Sequence, residues 1–387
     1  MVIYLKRIGG IMQLDATKLN VVGYDRIKIY THLVSVNTNK NYNDYGHATK
    51  RANVKYKVFD TAVNDYIYLN SFEFKRSITG ENITTSEKDC IVFGLHLNRE
   101  RNVIVLDVVL PRIAYGTIHN IYNVSKKEEA IKTMNMLKET LKAEGIELSP
   151  IETWEVFSLE MNKTIKADKP LHHFRENLNW LFNNAFKEEI IAENGDHRKR
   201  LPDDSVSNTL RFSTKRIKKK MYDKSCQLKD TLNFFIDENL IRLELTYDKE
   251  AIKRAFISNK FLDVFNEERM NRSYNKATIQ LIELLNKFTE AEINKLETEF
   301  TCANLTEIKK VYDENAKKMF DILFLIEATK RVYKREKNNK FNRDIKKLLK
   351  SYDKALYNNY NELRKILIAF NNNVEAINFD EFNKFFK

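Results

Sequence analysis

Residues 102–110 read NVIVLDVVL, a nearly unbroken run of apolar and mostly β-branched side chains interrupted only by Asp107. So short a run, so rich in Val and Ile, is the pattern of a central strand buried on both faces. Strand and helix signals alternate around it. Upstream, residues 26–30 and 91–97 read as strands. Downstream, Ser125 and Glu128 form a capping box, Ala130, Met134, Leu137 and Leu141 line one helix face, and Gly145 stands where a left-handed cap ends that helix. Residues 154–163, WEVFSLEMNK, follow as a strand with Phe157, Leu159 and Met161 on its apolar side. A helix over 174–189 and a polar loop over 194–208 lead to three further strands, over 209–213, 216–223 and 240–247. This order predicts an α+β domain with a mainly antiparallel sheet and flanking helices.

The last third has a different grammar. No glycine follows Gly195 and no proline follows Pro202, so the strongest turn formers and helix breakers are gone. Leu281, Leu285 and Phe288 share a helical face, Thr289 with Glu292 reads as a capping-box start, and Phe320, Leu323 and Phe324 continue the stripe. The expected organisation is an extension over 1–11, an α+β domain over 12–260, and an all-α C-terminal domain over 261–387.

Lys and Arg number 66 against 54 Asp and Glu, a formal charge of +12, in a chain that is 43% hydrophobic. Such a chain folds, and its basic excess points to a polyanionic partner. AT-rich codon usage is the plain alternative source of the lysines. Cys90, Cys226 and Cys302 form no CxxC pair and no metal-ligand spacing, which predicts reduced thiols and a cytoplasmic address. No apolar run approaches the roughly 20 residues of a membrane span, so no membrane partner is expected.

Two acids occupy similar places in two strands, Glu160 in FSLEMN and Glu244 in IRLELTY. Alternate residues of a strand face opposite sides, so Glu160 and Asn162 share one face, as do Arg242, Glu244 and Thr246. If the two strands are neighbours, the carboxylates converge as hard ligands for Mg²⁺ or Mn²⁺, which polarise a phosphodiester for attack. Solvated acids on amphipathic strands are the ordinary alternative. In RIKKKMYDK, residues 216–224, Lys218, Lys220 and Tyr222 share a face. A phenol is a poor nucleophile at its usual pKa of about 10, and nearby cations favour the phenolate. The alternative is a packing tyrosine, one among 18 in the chain.

Other signals are weaker. His172 and His173 are adjacent but no His-x-His exists, His96 and His119 read as packing or surface histidines, and Walker A and G-x-G-x-x-G sequences are absent. The basic run KRVYKREKNNK, residues 330–340, suits either DNA phosphates or a solvated helix face.

In order, LDVVLPRIAYGTIHN (106–120), EVFSLEMN (155–162), LRFSTKRIKKKMYDKSCQL (210–228) and LIRLELTY (240–247) resemble the replication initiators of filamentous phages and of related plasmids and mobile elements. These stretches look like the family's strand followed by a Leu-Pro-basic turn and a Gly-x-Asn-like element, its acid-bearing strand after a helix, and its Ser-x-x-Lys, Tyr-Asp-Lys and Arg-x-Glu series. The likeness covers about residues 14–256. The resemblance implies a rolling-circle nickase that cuts one strand at origin DNA, stays on the 5′ end as a phosphotyrosine, and leaves a 3′ hydroxyl to prime synthesis. It makes Tyr222 the nucleophile, Glu160 and Glu244 with Asn162 the metal-binding set, and Lys220 and Lys224 the groups that stabilise phosphate charge. Relatives often carry aspartates in the acidic strand, and Tyr115 and Tyr247 stand as alternative nucleophiles. A relaxase acting on a transfer origin and a non-enzymatic origin or operator binder are the competing functions. The helical third is expected to recognise origin DNA or recruit a host helicase.

Overall fold

The computed structural model describes residues 18–36, 48–60, 65–77, 90–98, 102–115, 120–143, 145–174, 177–178, 209–213, 216–232, 235–315, 319–335, 343–344, 347 and 354–371. Its strands are β1 (Gly23–Val36), β2 (Ala48–Asp60), β3 (Asp65–Ser77), β4 (Cys90–Asn98), β5 (Val103–Val109), β6 (Ile146–Leu148), β7 (Glu155–Ala167), β8 (Thr209–Ser213), β9 (Ile217–Asp223) and β10 (Asn239–Asp248). They form one sheet in the order β2-β3-β4-β5-β1-β7-β10-β9-β8, with β6 paired to β1. The apolar run around Asp107 forms β5, and Val103 to Leu106 are buried as a central strand requires. β5 lies antiparallel to β1 and β4, β1 to β7, and β9 to β10, in agreement with the α+β expectation.

Local chemistry explains the helices between the strands. Helix α1 (Leu110–Tyr115) leaves β5 directly, and α2 (Lys127–Ala143) buries Ala130, Met134, Leu137 and Leu141 as their spacing predicts. Gly145 follows α2 at φ 82°, the left-handed conformation that glycine adopts without steric cost. α3 (Lys224–Leu232) begins where β9 ends, and the Asp223 carboxylate accepts the Cys226 N–H at 2.9 Å. α4 (Lys249–Phe256) is capped by Asp248, which accepts from the Ala251 N–H at 2.8 Å.

By contacts the chain divides into two units, one of Met1–Lys166 with Arg211–Tyr274 and one of Ala167–Leu210 with Asn275–Lys387. In the first, Trp154 is fully buried, packs edge-on against Phe261 at 5.8 Å, and donates its indole N–H to the Ser149 carbonyl at 2.9 Å. Tyr24 packs against Phe265 at 4.5 Å and donates its hydroxyl to the Val264 carbonyl at 2.7 Å, which ties β1 to the short helix α5 (Phe261–Val264). The second unit is built on helices. It holds most of α6 (Glu267–Thr301), followed by α7 (Leu305–Asn315), α8 (Met319–Arg335) and α9 (Lys354–Phe370). Among the described residues no helix is long and apolar enough to cross a membrane.

Several expectations change. β1 starts at Gly23 rather than at residue 26, and β2 and β3 are strands that the sequence reading did not assign. Thr289 does not start a helix. It lies within α6, where its hydroxyl donates to the Leu285 carbonyl one turn back at 2.7 Å. The expected helix over 174–189 and the loop over 194–208 fall almost entirely outside the described residues, as does His119.

Gly23 sits where the segment after α1 crosses the start of β1. A Cβ there would lie 2.4 Å from the Asn123 Cβ, far inside contact distance and against an atom fixed to the backbone. Gly23→Ala is expected to destabilise the protein by about 1–3 kcal/mol, read as a lowered urea midpoint. Adding Asn123→Gly should recover part of the loss.

Candidate active site

The site is assembled on four consecutive strands, β1, β7, β10 and β9. The first step is an irregularity. Tyr24 pairs with Met161 and Ile27 with Leu159, so Asp25 and Arg26 of β1 stand opposite the single residue Glu160 of β7. This is a β-bulge, which breaks the two-residue alternation and re-aims a side chain. Asp25 and Tyr24 are both buried as a result, while Arg26 reaches out to Asp107 in a two-point ion pair of 2.6 and 2.7 Å. β7 and β10 are neighbours, so Glu160 and Glu244 do converge, and Asp25 joins them.

Arg242 organises the interior of this cluster. Its guanidinium is wholly buried and donates from Nε to Thr164 Oγ1 at 2.8 Å, from one terminal nitrogen to Asp25 Oδ2 at 3.1 Å, and from the other to the carbonyls of Asn120 and Ile121. Burial works against its charge, but Tyr222, Asp25 and Glu244 outweigh burial and raise its pKa. Asp25 is equally enclosed: Asn120 Nδ2 donates to its two oxygens at 2.9 and 2.8 Å, and Asn162 Nδ2 donates at 2.9 Å.

Tyr222 lies directly across from Arg242 and Lys220 across from Glu244 in the β9–β10 pair. The Tyr222 hydroxyl reaches the diagonal neighbour and donates to Glu244 Oε1, while Lys220 Nζ donates to Oε2 at 3.3 Å and also covers the tyrosine ring at 4.1 Å. Expected cationic activation of the phenol is not what this arrangement produces. Tyr222 is only 2% exposed, and burial, with Glu244 and Asp25 adding, holds its pKa well above the ordinary value despite Arg242. The phenol is stored protonated against a carboxylate. Lys224 is fully buried and donates to Asn120 Oδ1 at 2.7 Å and Gln227 Oε1 at 2.8 Å. Burial first, then the Arg242 charge, drives its pKa well below that of a free lysine.

Of the other tyrosines weighed from sequence, Tyr115 donates to the Asn123 carbonyl at 2.9 Å and Tyr247 to the Ser273 carbonyl at 3.2 Å, so both hydroxyls are committed elsewhere. In the second unit, His173 Nε2 contacts Asn359 Oδ1 at 3.1 Å. There too the basic run at 330–340 starts with paired charges. Lys330 is buried against Glu327, and Arg331 binds Glu290, Glu297 and Glu327. These two residues are held by acids of their own unit rather than forming a solvated basic face.

The donor set suits a hard divalent cation. Asp25, Glu160 and Glu244 each offer a carboxylate oxygen, all within 4.8 Å of one another. The cluster contains no imidazole or thiolate, which fits Mg²⁺ or Mn²⁺ better than zinc. A second observation agrees. Asn162 is fully buried, its nitrogen is spent on Asp25, and its Oδ1 has no hydrogen-bond partner. A buried acceptor beside three acids is the condition a cation relieves. Asp25 is the participant that sequence reading missed, while Asn120 and Arg242 stand in its motifs without an assigned role; an acid within the apolar stretch VVGYD was the one available signal for Asp25.

Crowding leaves a titration signature. Burial first, then Glu244 and Asp25, raise the Glu160 pKa well above the ordinary 4.5, against partial relief from Lys220 and Arg26. Folded Glu160 therefore holds its proton more tightly than the unfolded chain does. Its stabilising contribution is complete below the ordinary carboxylate pKa and is lost as pH rises from there through the raised value. In metal-free protein, Glu160→Gln should remove that part of the decline in melting temperature with pH. Mn²⁺ at a hundred times its dissociation constant should stabilise the unsubstituted protein by about 2.7 kcal/mol and the variant by much less.

No protein family model matches the chain, and no curated protein matches it. Among solved structures the chain is similar to the rolling circle replication initiator protein from Geobacillus stearothermophilus, at 11% sequence identity and a TM-score of 0.26, covering 59% of this chain and 74% of that one. A superposition this loose carries no chemical inference, and the functional reading rests on the site itself.

Proposed function

We propose that this chain is a metal-dependent nickase that opens one strand of origin DNA to start rolling-circle replication. The observation that carries the reading is the Tyr222 hydroxyl donated to Glu244 within a cluster of three carboxylates, in a chain of net charge +12. A water-activating hydrolase needs no protein nucleophile at its acid cluster, whereas a transferase that conserves the phosphodiester bond does, and the Tyr222 hydroxyl is in place for that part.

Asp25, Glu160 and Glu244 would hold Mg²⁺ or Mn²⁺, with Asn162 Oδ1 beside them. Bound there, the cation supplies Lewis-acid polarisation of the scissile phosphate. Glu244 Oε1 takes the phenolic proton as the Tyr222 oxygen bonds to phosphorus. The bond from phosphorus to the 3′ oxygen breaks, and that oxygen takes a proton from solvent. The products are a 5′ phosphotyrosine and a free 3′ hydroxyl. Lys220, whose side chain is 35% exposed, would move from the tyrosine ring to the incoming phosphate. Lys224, buried against Asn120 and Gln227, would add positive charge to the site, since phosphate charge favours its protonated form. Origin DNA in the cytoplasm is the substrate, with the helical unit selecting the origin or recruiting a host helicase.

The test incubates purified protein with supercoiled plasmid carrying its origin, with and without Mg²⁺ or Mn²⁺, and looks for nicked circles and SDS-stable protein–DNA adducts. Tyr222→Phe should abolish the adduct while Tyr115→Phe and Tyr247→Phe keep it. Glu244→Gln should slow nicking by about 10²–10⁴-fold. An adduct surviving in Tyr222→Phe moves the chemistry to another tyrosine, and origin binding without nicking under either metal replaces the enzyme with an origin-binding protein.

A further inference from the structure

Asn120 stands at the start of the described segment between α1 and α2 and meets three parts of the site at once. Its Nδ2 donates to Asp25 Oδ1 and Oδ2 at 2.9 and 2.8 Å, its Oδ1 accepts from Lys224 Nζ at 2.7 Å, and its backbone carbonyl accepts from Arg242. We infer that Asn120 is a positioning residue that sets, through one planar amide, both the rotation of the metal-binding Asp25 carboxylate and the seat of the Lys224 amine.

The chemistry of the side chain makes it specific. A carboxylate on one side requires a donor, and an amine donating from the other side requires an acceptor. A carboxamide meets both demands in a fixed plane, whereas Asp would offer only acceptors and Ser cannot span both. Asn120 is itself held from behind, because Arg242 also takes the Ile121 carbonyl at 2.9 Å. Asp25 Oδ2 already accepts from Asn162 and Arg242, while Asn120 is the donor to Oδ1. Without Asn120 the Asp25 carboxylate keeps its bonds from Asn162 and Arg242 at Oδ2 and loses the donor at Oδ1, so its plane is no longer held at both oxygens. Residues that orient a ligand without touching the ion change metal affinity by about 10–100-fold when removed.

The inference rests on reading the acid cluster as a metal centre, and the test separates the two. Mn²⁺ is titrated into the full chain and free ion is followed by electron paramagnetic resonance, for the unsubstituted protein, Asn120→Ala, Asn120→Ser and Glu160→Gln. The expected result is a dissociation constant raised about 10–100-fold in both Asn120 variants, with an altered bound-Mn²⁺ spectrum. Asn120→Ser keeps the test open if the alanine variant does not fold. A merely structural role would lower the melting temperature of metal-free protein and leave the Mn²⁺ constant of the folded fraction unchanged, which overturns the inference. If Glu160→Gln loses Mn²⁺ but a folded Asn120 variant stays within twofold of the unsubstituted chain, the positioning role falls and the metal centre stands. If the unsubstituted chain binds no Mn²⁺, both fall.

Discussion

The sheet unit depends on an ion pair that water does not reach. Arg242 and Asp25 are both buried, and their contact at 3.1 Å is one of several bonds that leave each group nearly satisfied. Burying either charge alone costs several kcal/mol, and deleting one partner of such a pair costs about 3–5 kcal/mol because the other is stranded. The pair is therefore a constraint on geometry more than a source of stability. It fixes β1 and β10 with β7 between them, and through the Asn120 and Ile121 carbonyls it also fixes the segment after α1. Every candidate functional side chain is attached to one of these pieces or to β9 and the helix α3 that follows it.

That framework supports a cluster in electrostatic tension. Three carboxylates share a small volume, and Glu160 responds by holding its proton. Tyr222 is kept neutral by burial and by its acidic neighbours, and the Lys224 ammonium is disfavoured by burial beside Arg242. Each perturbation has the sign that a divalent cation and a phosphate would reverse: the cation favours ionised carboxylates and phenolate, and the phosphate favours ammonium. Groups with pKa values pushed in opposite directions within one cluster mark a functional site more often than a structural one.

The basic excess of the chain is less simple than its sum. Lys330, Arg331 and Lys220 have carboxylate partners in the fold, and Arg26 is paired with Asp107. A long-range field still follows from the net charge, but the residues that meet a phosphate cannot be chosen from runs of Lys and Arg along the sequence.

The sequence by itself determined the strands β5, β7, β9 and β10, the inner face of α2, and two of the three acids of the cluster. Continuous β-branched runs gave buried strands, the 3.6-residue spacing of Ala130, Met134, Leu137 and Leu141 gave the buried face of α2, and alternation placed Glu160 and Glu244 where neighbouring strands bring them together. These features are local, so short-range periodicity carries them. The strands β2 and β3 were passed over although their signals are local too: Val54-Lys55-Tyr56-Lys57-Val58 alternates strictly in β2, and Tyr66-Ile67-Tyr68-Leu69 is a short apolar run in β3. Only the tertiary structure decided that Asp25 belongs to the cluster, because a bulge destroys the periodicity by which a side chain's face is read. Only it decided that the face bearing Arg242 and Glu244 is buried rather than solvated, since the covering groups come from residues 25, 120 and 121, more than a hundred positions away. The protonation of Tyr222 belongs to the same class: its flanking lysines are visible in sequence, but burial and the diagonal carboxylate that outweigh them exist only once β9 is paired with β10.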